Sequence, residues 1–461
     1  MRNKKSDIIK ELNKTRHNPK FLCNAPFASM NISFWGTASP CCYNNALIDD
    51  YSVKSLTEIW DGNNYRKYRK AIRNGNLPEA CSICKTCLLN GEYESAKIHQ
   101  YDNLKVSRIF PNKLRKIEIA SSNTCNLECI MCHGDASSSI RKNRENKEPI
   151  QNQYMYKFRN ELKPLLPSMQ EIVFLGGEPF LNPLYYDIWE DMISINPNCT
   201  IAIVTNGTIL NDRIKSLLKR GNFKINLSFD AITKETYETI RVNAKFEETI
   251  ANMKYFGDTL ARQGKQLHIP ICPLRINRFE LPDIVRFCND NKYSINFVPF
   301  VMGATDVAMH SMSSLELKEV KEFYLNQNLL ELDDNSRKNI IEFNELTLRL
   351  DRWIGLAIKR ENFKENFDLK TDMVEMLKKQ LYEKIFETLS CKKLDNETKD
   401  KQLNYINDIL EQLTIELPDY YYSNHFFQKL LTLSIESFVI TLSNSSITYI
   451  KKLCEDLFFY L

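Results

Sequence analysis

Histidine is scarce in this sequence, with 6 among 461 residues, and none of the six forms an obvious ligand pair with another. Metal chemistry built on paired imidazoles is therefore not indicated. An excess of charge of one sign is also nearly absent, the formal net charge being +4. No long basic stripe appears, so a nucleic-acid partner is not indicated. Long apolar runs are missing as well. The N-terminal stretch MRNKKSDIIKELNKTRHNPK is basic but has no apolar core of the kind a secretory signal carries. The most apolar late stretch, LLTLSIESFVITLSNSS, is broken by Glu436 and several hydroxyls, and reads as a buried helix rather than a membrane span. A cytoplasmic protein is expected.

Cysteine, by contrast, is abundant. There are 14, and nine of them precede residue 133 in three tight groups. A cytoplasmic chain does not hold so many as disulfides, and clustering of this kind points to metal. Soft sulfur ligands without histidine partners favour iron–sulfur clusters or zinc.

The organisation along the chain is uneven. Residues 1–20 read as a polar lead-in with room for a short helix. Residues 21–100 hold two cysteine groups, a short strand at NISF, the turn-like GTASP and a helix from LTEIW that ends at Gly75. The visible apolar core of this stretch is thin, so metal is expected to organise it. From residue 114 short apolar runs alternate with helical segments: KIEIA, EIVFL, TIAIV, KINLSF, LHIPI and INFVPF. Six strand–helix units predict an α/β fold, a partial (β/α)6 TIM-like barrel, over residues 110–310. Residues 311–461 are expected to form a helical C-terminal extension, whose sequence leaves a cap, an oligomerisation element and a partner-binding unit equally open. In such a fold active-site residues follow the strands, and Cys125, Gly176, Asn206, Asp230 and Pro299 do so. The charged stretch at 137–153 reads as a mobile loop or exposed linker.

The third cysteine group lies in SSNTCNLECIMCHG, where Cys125, Cys129 and Cys132 have the spacing C-x3-C-x2-C directly after a strand. Three thiolates on one loop can bind three irons of a cubane [4Fe–4S] cluster and leave the fourth open to a small molecule. A structural zinc site wants four closed ligands, and His133, adjacent to Cys132, is awkwardly placed to supply the last. Further on stand FLGGEPFLNP, IVTNG and LSFDAITKETYETIR, each at a strand end.

This series of landmarks resembles the radical SAM superfamily. The resemblance implies that the open iron chelates S-adenosylmethionine, that an electron cleaves it to a 5′-deoxyadenosyl radical, and that the radical takes a hydrogen atom from substrate. It implies a flavodoxin or ferredoxin-type reductant. It places Gly176, Gly177 and Glu178 at the methionine amino group, Ser228 at the ribose, Arg241 at the methionine carboxylate, and Met131 with Val298 on the adenine side. Asn206 stands at the rim, and Asp230 either hydrogen-bonds substrate or orders its loop. The chemistry of these residues agrees: glycines permit close backbone approach and a carboxylate suits an ammonium.

Upstream, Cys23, Cys41, Cys42, Cys81, Cys84 and Cys87 lie in CNAPFASMNISFWGTASPCC and LPEACSICKTC. Four of these thiolates can enclose a second [4Fe–4S] cluster, and a zinc knuckle is the competing reading. Gly36 with Cys41, and then Trp60, Arg73, Gly75, Pro78, Cys81 and Cys84, resemble the SPASM and twitch auxiliary-cluster modules. Such modules usually follow the radical domain, whereas this one precedes it. One auxiliary cluster is expected, held by Cys23, Cys41, Cys81 and Cys84, with Cys87 or Cys42 as substitutes.

Cys272, in PICPLRIN, ends the fifth strand run. It reads either as a hydrogen-atom donor, which would make an epimerase, or as a core cysteine. Arg275 and Asn277 are rim candidates, and His268 reads as structural. The leading expectation is an oxidoreductase or a peptide- or small-molecule-modifying radical enzyme. The alternatives are a radical epimerase and a non-catalytic iron–sulfur or zinc scaffold with a helical interaction tail.

Overall fold

Short runs rich in isoleucine, valine and phenylalanine favour extended backbone, since branched and aromatic side chains pack well on a pleated surface. In the computed structural model these runs become β1 (Ser29–Ile32), β2 (Thr37–Ser39), β3 (Asp49–Asp50), β4 (Lys116–Ala120), β5 (Glu171–Leu175), β6 (Thr200–Thr205), β7 (Phe223–Leu227), β8 (His268–Ile271) and β9 (Ser294–Phe297). The structure describes residues 2–417 except 17–18, 45–47, 79, 90, 92, 94–95, 109–111, 151–152, 299–305, 366–370 and 391–395, together with Ile450 and Cys454.

The chain divides into two compact units. One comprises Met1–Asn123, Ile150–Val204 and Asn211–Phe223; the other comprises Thr124–Pro149, Thr205–Leu210 and Lys224–Leu461. In the first unit the strands lie in the order β3-β2-β1-β4-β5-β6. β4 and β5 run parallel from Lys116 opposite Glu171 to Ala120 opposite Leu175, and β5 pairs in parallel with β6. The N-terminal strand β1 is parallel to β4, with Ser29 opposite Lys116, while β2 and β3 fold back antiparallel. In the second unit β8 is parallel to both β7 and β9, with His268 opposite Asn226 on one side and Ser294 on the other. The fold class is α/β: strands β4–β9 alternate with helices as a partial (β/α)6 repeat, with a cysteine-rich region before them and helices after.

Alternation along each strand builds the core. Ile117 and Ile119, Ile172 and Phe174, and Ile201 and Ile203 are buried on successive strands of the first unit. Each such side chain contributes ~1.5–3 kcal/mol on leaving water. Helix Pro183–Ile195 brings Trp189 onto this layer, its ring 5.6 Å from those of Phe174 and Phe180. Tyr185 of the same helix fixes the strand ends. Its hydroxyl lies 3.2 Å from the Ile119 carbonyl and 3.0 Å from that of Leu175, and it accepts from the Ser121 N–H at 2.8 Å.

Several local expectations change. The helix anticipated from Leu56 to Gly75 is two helices, Leu56–Trp60 and Asn63–Arg73. Ser55 and Glu58 form a capping box for the first, and Gly62 is the extended N-cap of the second. A Cβ on Gly62 would stand 2.8 Å from the Glu58 carbonyl oxygen, so the break requires glycine. The polar lead-in is helix Arg2–Lys14, whose Leu12 is wholly buried. The stretch expected to be a mobile loop begins as helix Ser138–Asn143, capped by Ser137, and is tied down where Arg144 and Asn143 both meet Glu128. The C-terminal region gives helices Ser314–Leu325, Asp334–Glu365, Thr371–Ser390 and Asn396–Glu416. The apolar stretch around Glu436, and Pro299, lie outside the described residues. Among the described residues no helix is long and apolar enough to cross a membrane.

Candidate iron–sulfur centres

In the second unit the loop after β4 carries three thiols. Cys129 is buried, while Cys125 and Cys132 are half-buried. The loop is laced to the segment before it returns: Glu128 N–H donates to the Val242 carbonyl and Ile130 N–H to that of Ile240, each at 3.0 Å. Side chains from one strand end and one helix end reach the sulfurs. Asn206, after β6, places its amide nitrogen 3.9 Å from Cys125 Sγ and donates to Asn126 at 3.0 Å. Arg241 places Nη1 3.9 Å from Cys129 Sγ. The Leu127 backbone N–H lies 3.5 Å from Cys125 Sγ.

Arg241 is anchored by Asp230, which is wholly buried after β7; Nε donates at 2.8 Å and Nη2 at 2.6 Å to one carboxylate oxygen. The other oxygen accepts the Cys272 N–H at 2.7 Å. Burial works against the Arg241 charge, but the Asp230 carboxylate outweighs it, so the guanidinium is held more firmly protonated than usual. Asn277, also wholly buried, donates to the backbone carbonyls of Asp230 and Cys272, at 2.7 and 2.9 Å. It is thus a clamp between the ends of β7 and β8 rather than a rim group. Arg275 turns away to Ser311, and His268 meets Ser294 and Asn296 at the start of β8. Ser228 is half-buried, its N–H bonded to the Thr205 carbonyl, while Val298 is half-buried at the end of β9 with its N–H on the Ile271 carbonyl. Met131 is half-buried within the cysteine loop.

The first unit holds the GGEP segment. Gly176 and Gly177 have φ of 86° and 51°, in the left-handed region. A Cβ on Gly176 would lie 2.5 Å from the Ser122 carbonyl oxygen. Only glycine permits that turn, which leaves backbone exposed at the β5 end. Glu178 is buried, and its carboxylate accepts the Phe180 N–H at 3.0 Å.

The first unit also gathers the other thiols. Burial raises the Cys23, Cys41, Cys81 and Cys84 thiols above the ordinary range, Cys81 to about 12. The would-be charges also act on one another: Cys23 feels Cys84 and Cys81, Cys41 feels Cys23 and Cys81, and Cys81 feels Cys84. Every one of the four has an N–H donor. These are the backbone of Ala25 for Cys23, of Tyr43 for Cys41, and of Lys97 and Ile98 for Cys84, with the Asn44 amide 3.5 Å from Cys81 Sγ. Cys87 neighbours Cys84, whereas the Cys42 thiol turns to the buried carboxylate of Glu118. Helix Asn63–Arg73 supports this wall: the Tyr65 hydroxyl donates to the carbonyls of Ser29 and Ser39, and Arg69 stacks 4.2 Å over Trp60.

These donor sets fit iron–sulfur clusters. Burial likewise pushes the Cys129 thiol up and that of Cys132 to about 12. Several thiolates cannot share a buried site without a compensating cation, so the thiols stay protonated until metal replaces the protons. Among the described residues no three histidine, cysteine or acidic side chains converge on one point for a single metal ion. A cubane does not ask for such convergence, because each thiolate binds its own iron.

Comparison with known proteins agrees. Residues 119–287 match the Radical SAM superfamily, and residues 23–88 match the SPASM iron–sulfur cluster-binding domain. The chain therefore carries a radical SAM domain with a SPASM domain before it, and these domains imply a [4Fe–4S] cluster, S-adenosylmethionine and auxiliary iron–sulfur as cofactors. A probable GTP 3′,8-cyclase of Methanocaldococcus jannaschii is 24% identical over 244 residues, 50% of this chain and 75% of that one. The GTP 3′,8-cyclase of Microcystis aeruginosa is 22% identical over 41% of this chain and 57% of its own, and a probable one of Methanothermobacter marburgensis is 30% identical over 38% and 54%. The chain thus spans between about half and three-quarters of these relatives. Among solved structures, Streptococcus suis SuiB bound to precursor peptide SuiA aligns at TM-score 0.35 and 17% identity, over 64% of this chain and 67% of that one.

Glu118, Asn44, Arg16 and Asp102 had gone unremarked in the sequence. Their partners are set by the fold, Arg16 with Asp102 across 86 residues and Asn44 with Cys81 across 37, so no local spacing marks them.

Proposed function

We propose that this enzyme abstracts a hydrogen atom from a carbon of a peptide or small-molecule substrate and oxidises it, with the auxiliary centre as the electron-transfer site. The observation that supports the reading is the contrast between the two groups of thiols. Three thiols stand on the radical loop, and four thiols with four sets of N–H donors stand in the N-terminal nest. When bound, the radical-site cluster and S-adenosylmethionine supply a 5′-deoxyadenosyl radical.

The chain's residues then have separable tasks. Cys125, Cys129 and Cys132 are the ligands of the first cluster. Asp230 holds Arg241 so that its guanidinium serves the methionine carboxylate, and the backbone turn at Gly176–Gly177 with Glu178 receives the amino group. Ser228 serves the ribose, and Met131 and Val298 form the adenine side. Cys23, Cys41, Cys81 and Cys84 are the ligands of the second cluster. Four protein ligands leave no iron open to substrate, which favours electron transfer. A cytoplasmic location and a flavodoxin or ferredoxin-type reductant belong to the same reading.

A second reading has one observation in its favour. The Cys272 thiol is buried near the charges of Asp230, Arg241, Cys129 and Cys132, with Asn277 clamping its backbone. A thiol there is placed to return a hydrogen atom, giving an epimerase. Turnover in deuterated solvent separates the two. Oxidation gives a product two hydrogens lighter than substrate, with no solvent deuterium on the reacting carbon. An isomeric product carrying one deuterium contradicts the oxidative reading.

A further inference from the structure

The lead-in before Cys23 is bound into the auxiliary region by one buried arginine. The Arg16 side chain is wholly buried. Its Nε lies 3.1 and 2.9 Å from the two carboxylate oxygens of Asp102, and Nη2 closes on the same carboxylate. Nη1 donates to the carbonyls of Phe21 at 3.0 Å and Leu22 at 2.9 Å. The Leu22 carbonyl belongs to the peptide that leads into Cys23. Asp102 directly follows the turn Lys97–Tyr101, whose Lys97 and Ile98 N–H groups serve the Cys84 thiol. The ion pair therefore ties the segment that carries Cys23 to the segment that supports Cys84. Leu12 and Ile98, one from each segment, share an apolar cluster against which Cys23, Cys84 and Cys87 pack.

We propose that Arg16 and Asp102 are positioning residues of the auxiliary centre: they close the lead-in over it and bias its charge in opposite senses. The proposal rests on the reading that Cys23, Cys41, Cys81 and Cys84 hold a cluster. Packing alone does not account for the pair, since a buried ion pair is often no more stabilising than apolar residues of the same volume. Its place does. Arg16 Nη1 sits on the carbonyl of the peptide that leads into Cys23, and Asp102 borders the turn that serves Cys84. Reduction adds negative charge to a thiolate-bound cluster, so a nearby cation favours the reduced state and a nearby carboxylate opposes it.

The test uses the full chain with Cys125, Cys129 and Cys132 changed to alanine, reconstituted anaerobically, so that only the auxiliary cluster is present. Iron and sulfide are counted, and the reduced fraction is followed by electron paramagnetic resonance during a potentiometric titration. Arg16→Gln is expected to lower the reduced-to-oxidised ratio at fixed potential about tenfold, ~59 mV for one electron. Asp102→Asn is expected to raise the ratio, and Arg16→Lys to stay near the parent. A structural role alone would move Arg16→Gln and Asp102→Asn the same way, and that result, or no shift in either, overturns the proposal. Where Arg16→Gln assembles too little cluster to titrate, Asp102→Asn decides alone, by a rise or its absence. A parent without iron overturns the ligand reading and the proposal with it. A parent with a full cluster and no opposite shifts overturns the proposal only.

Discussion

Cys125, Cys129 and Cys132 come from one loop, whereas Cys23, Cys41, Cys81 and Cys84 come from three segments with strands and helices between them. The hydrogen-bond donors are reversed. The radical-site sulfurs meet side chains from distant parts of the chain, Asn206 after a strand and Arg241 at a helix end, besides the Leu127 N–H. The auxiliary sulfurs meet mainly backbone N–H groups, two residues along for Cys23 and Cys41 and from the turn Lys97–Tyr101 for Cys84, with Asn44 the side-chain exception. A site whose ligands share a loop leaves its environment to be set by the distant segments that face it. A site whose ligands are scattered must spend its long-range contacts on bringing them together, and Arg16 with Asp102 is the clearest of these.

The sharpest way to break this comparison is at the auxiliary ligands, where neighbouring cysteines have different partners. Cys84→Ser should remove most of the auxiliary iron, because it deletes a thiolate from a buried set. Cys42→Ser should leave the iron unchanged, because that thiol faces Glu118. Iron and sulfide analysis of the two variants checks this, and equal losses would erase the distinction.

A smaller effect sharpens the radical side. Asp230→Asn leaves the Arg241 charge buried without its counter-ion, which costs ~3–5 kcal/mol in comparable buried pairs. Urea unfolding should show that loss, and S-adenosylmethionine affinity should fall while auxiliary-cluster absorbance persists. An unchanged affinity would mean that Arg241 does not need Asp230 to hold its place.

Much of this was legible in the sequence, for reasons that differ by element. β4, β5 and β6 follow from isoleucine- and valine-rich runs of strand length, and the structure begins and ends them within a residue of those runs. The spacing of Cys125, Cys129 and Cys132 marked a three-thiol loop, and its radical reading came from the resemblance carried by the landmarks after it. Glycine was legible in GGEP because a left-handed turn excludes a Cβ. The break at Gly62 was not, because Leu56–Arg73 keeps helical composition on both sides and the second helix has no side-chain cap to announce its start. The partners of β1 were also hidden. A four-residue strand carries no mark of which edge it joins, and β1 joins β4 across more than eighty residues of chain. Asn277 looked like a rim residue because it follows a strand. Its burial is set by the carbonyls of Asp230 and Cys272, which only the folded chain brings to it.

The measurement that tests the central claim most directly is the partition of iron between two variant proteins, each reconstituted anaerobically and incubated with S-adenosylmethionine and a strong reductant. The variant lacking Cys125, Cys129 and Cys132 should keep about four irons per chain and form no 5′-deoxyadenosine. The variant lacking Cys23, Cys41, Cys81 and Cys84 should keep about four irons at the radical site and still form 5′-deoxyadenosine. Deoxyadenosine from the first variant, or full iron in either, would contradict two separate centres with these ligands.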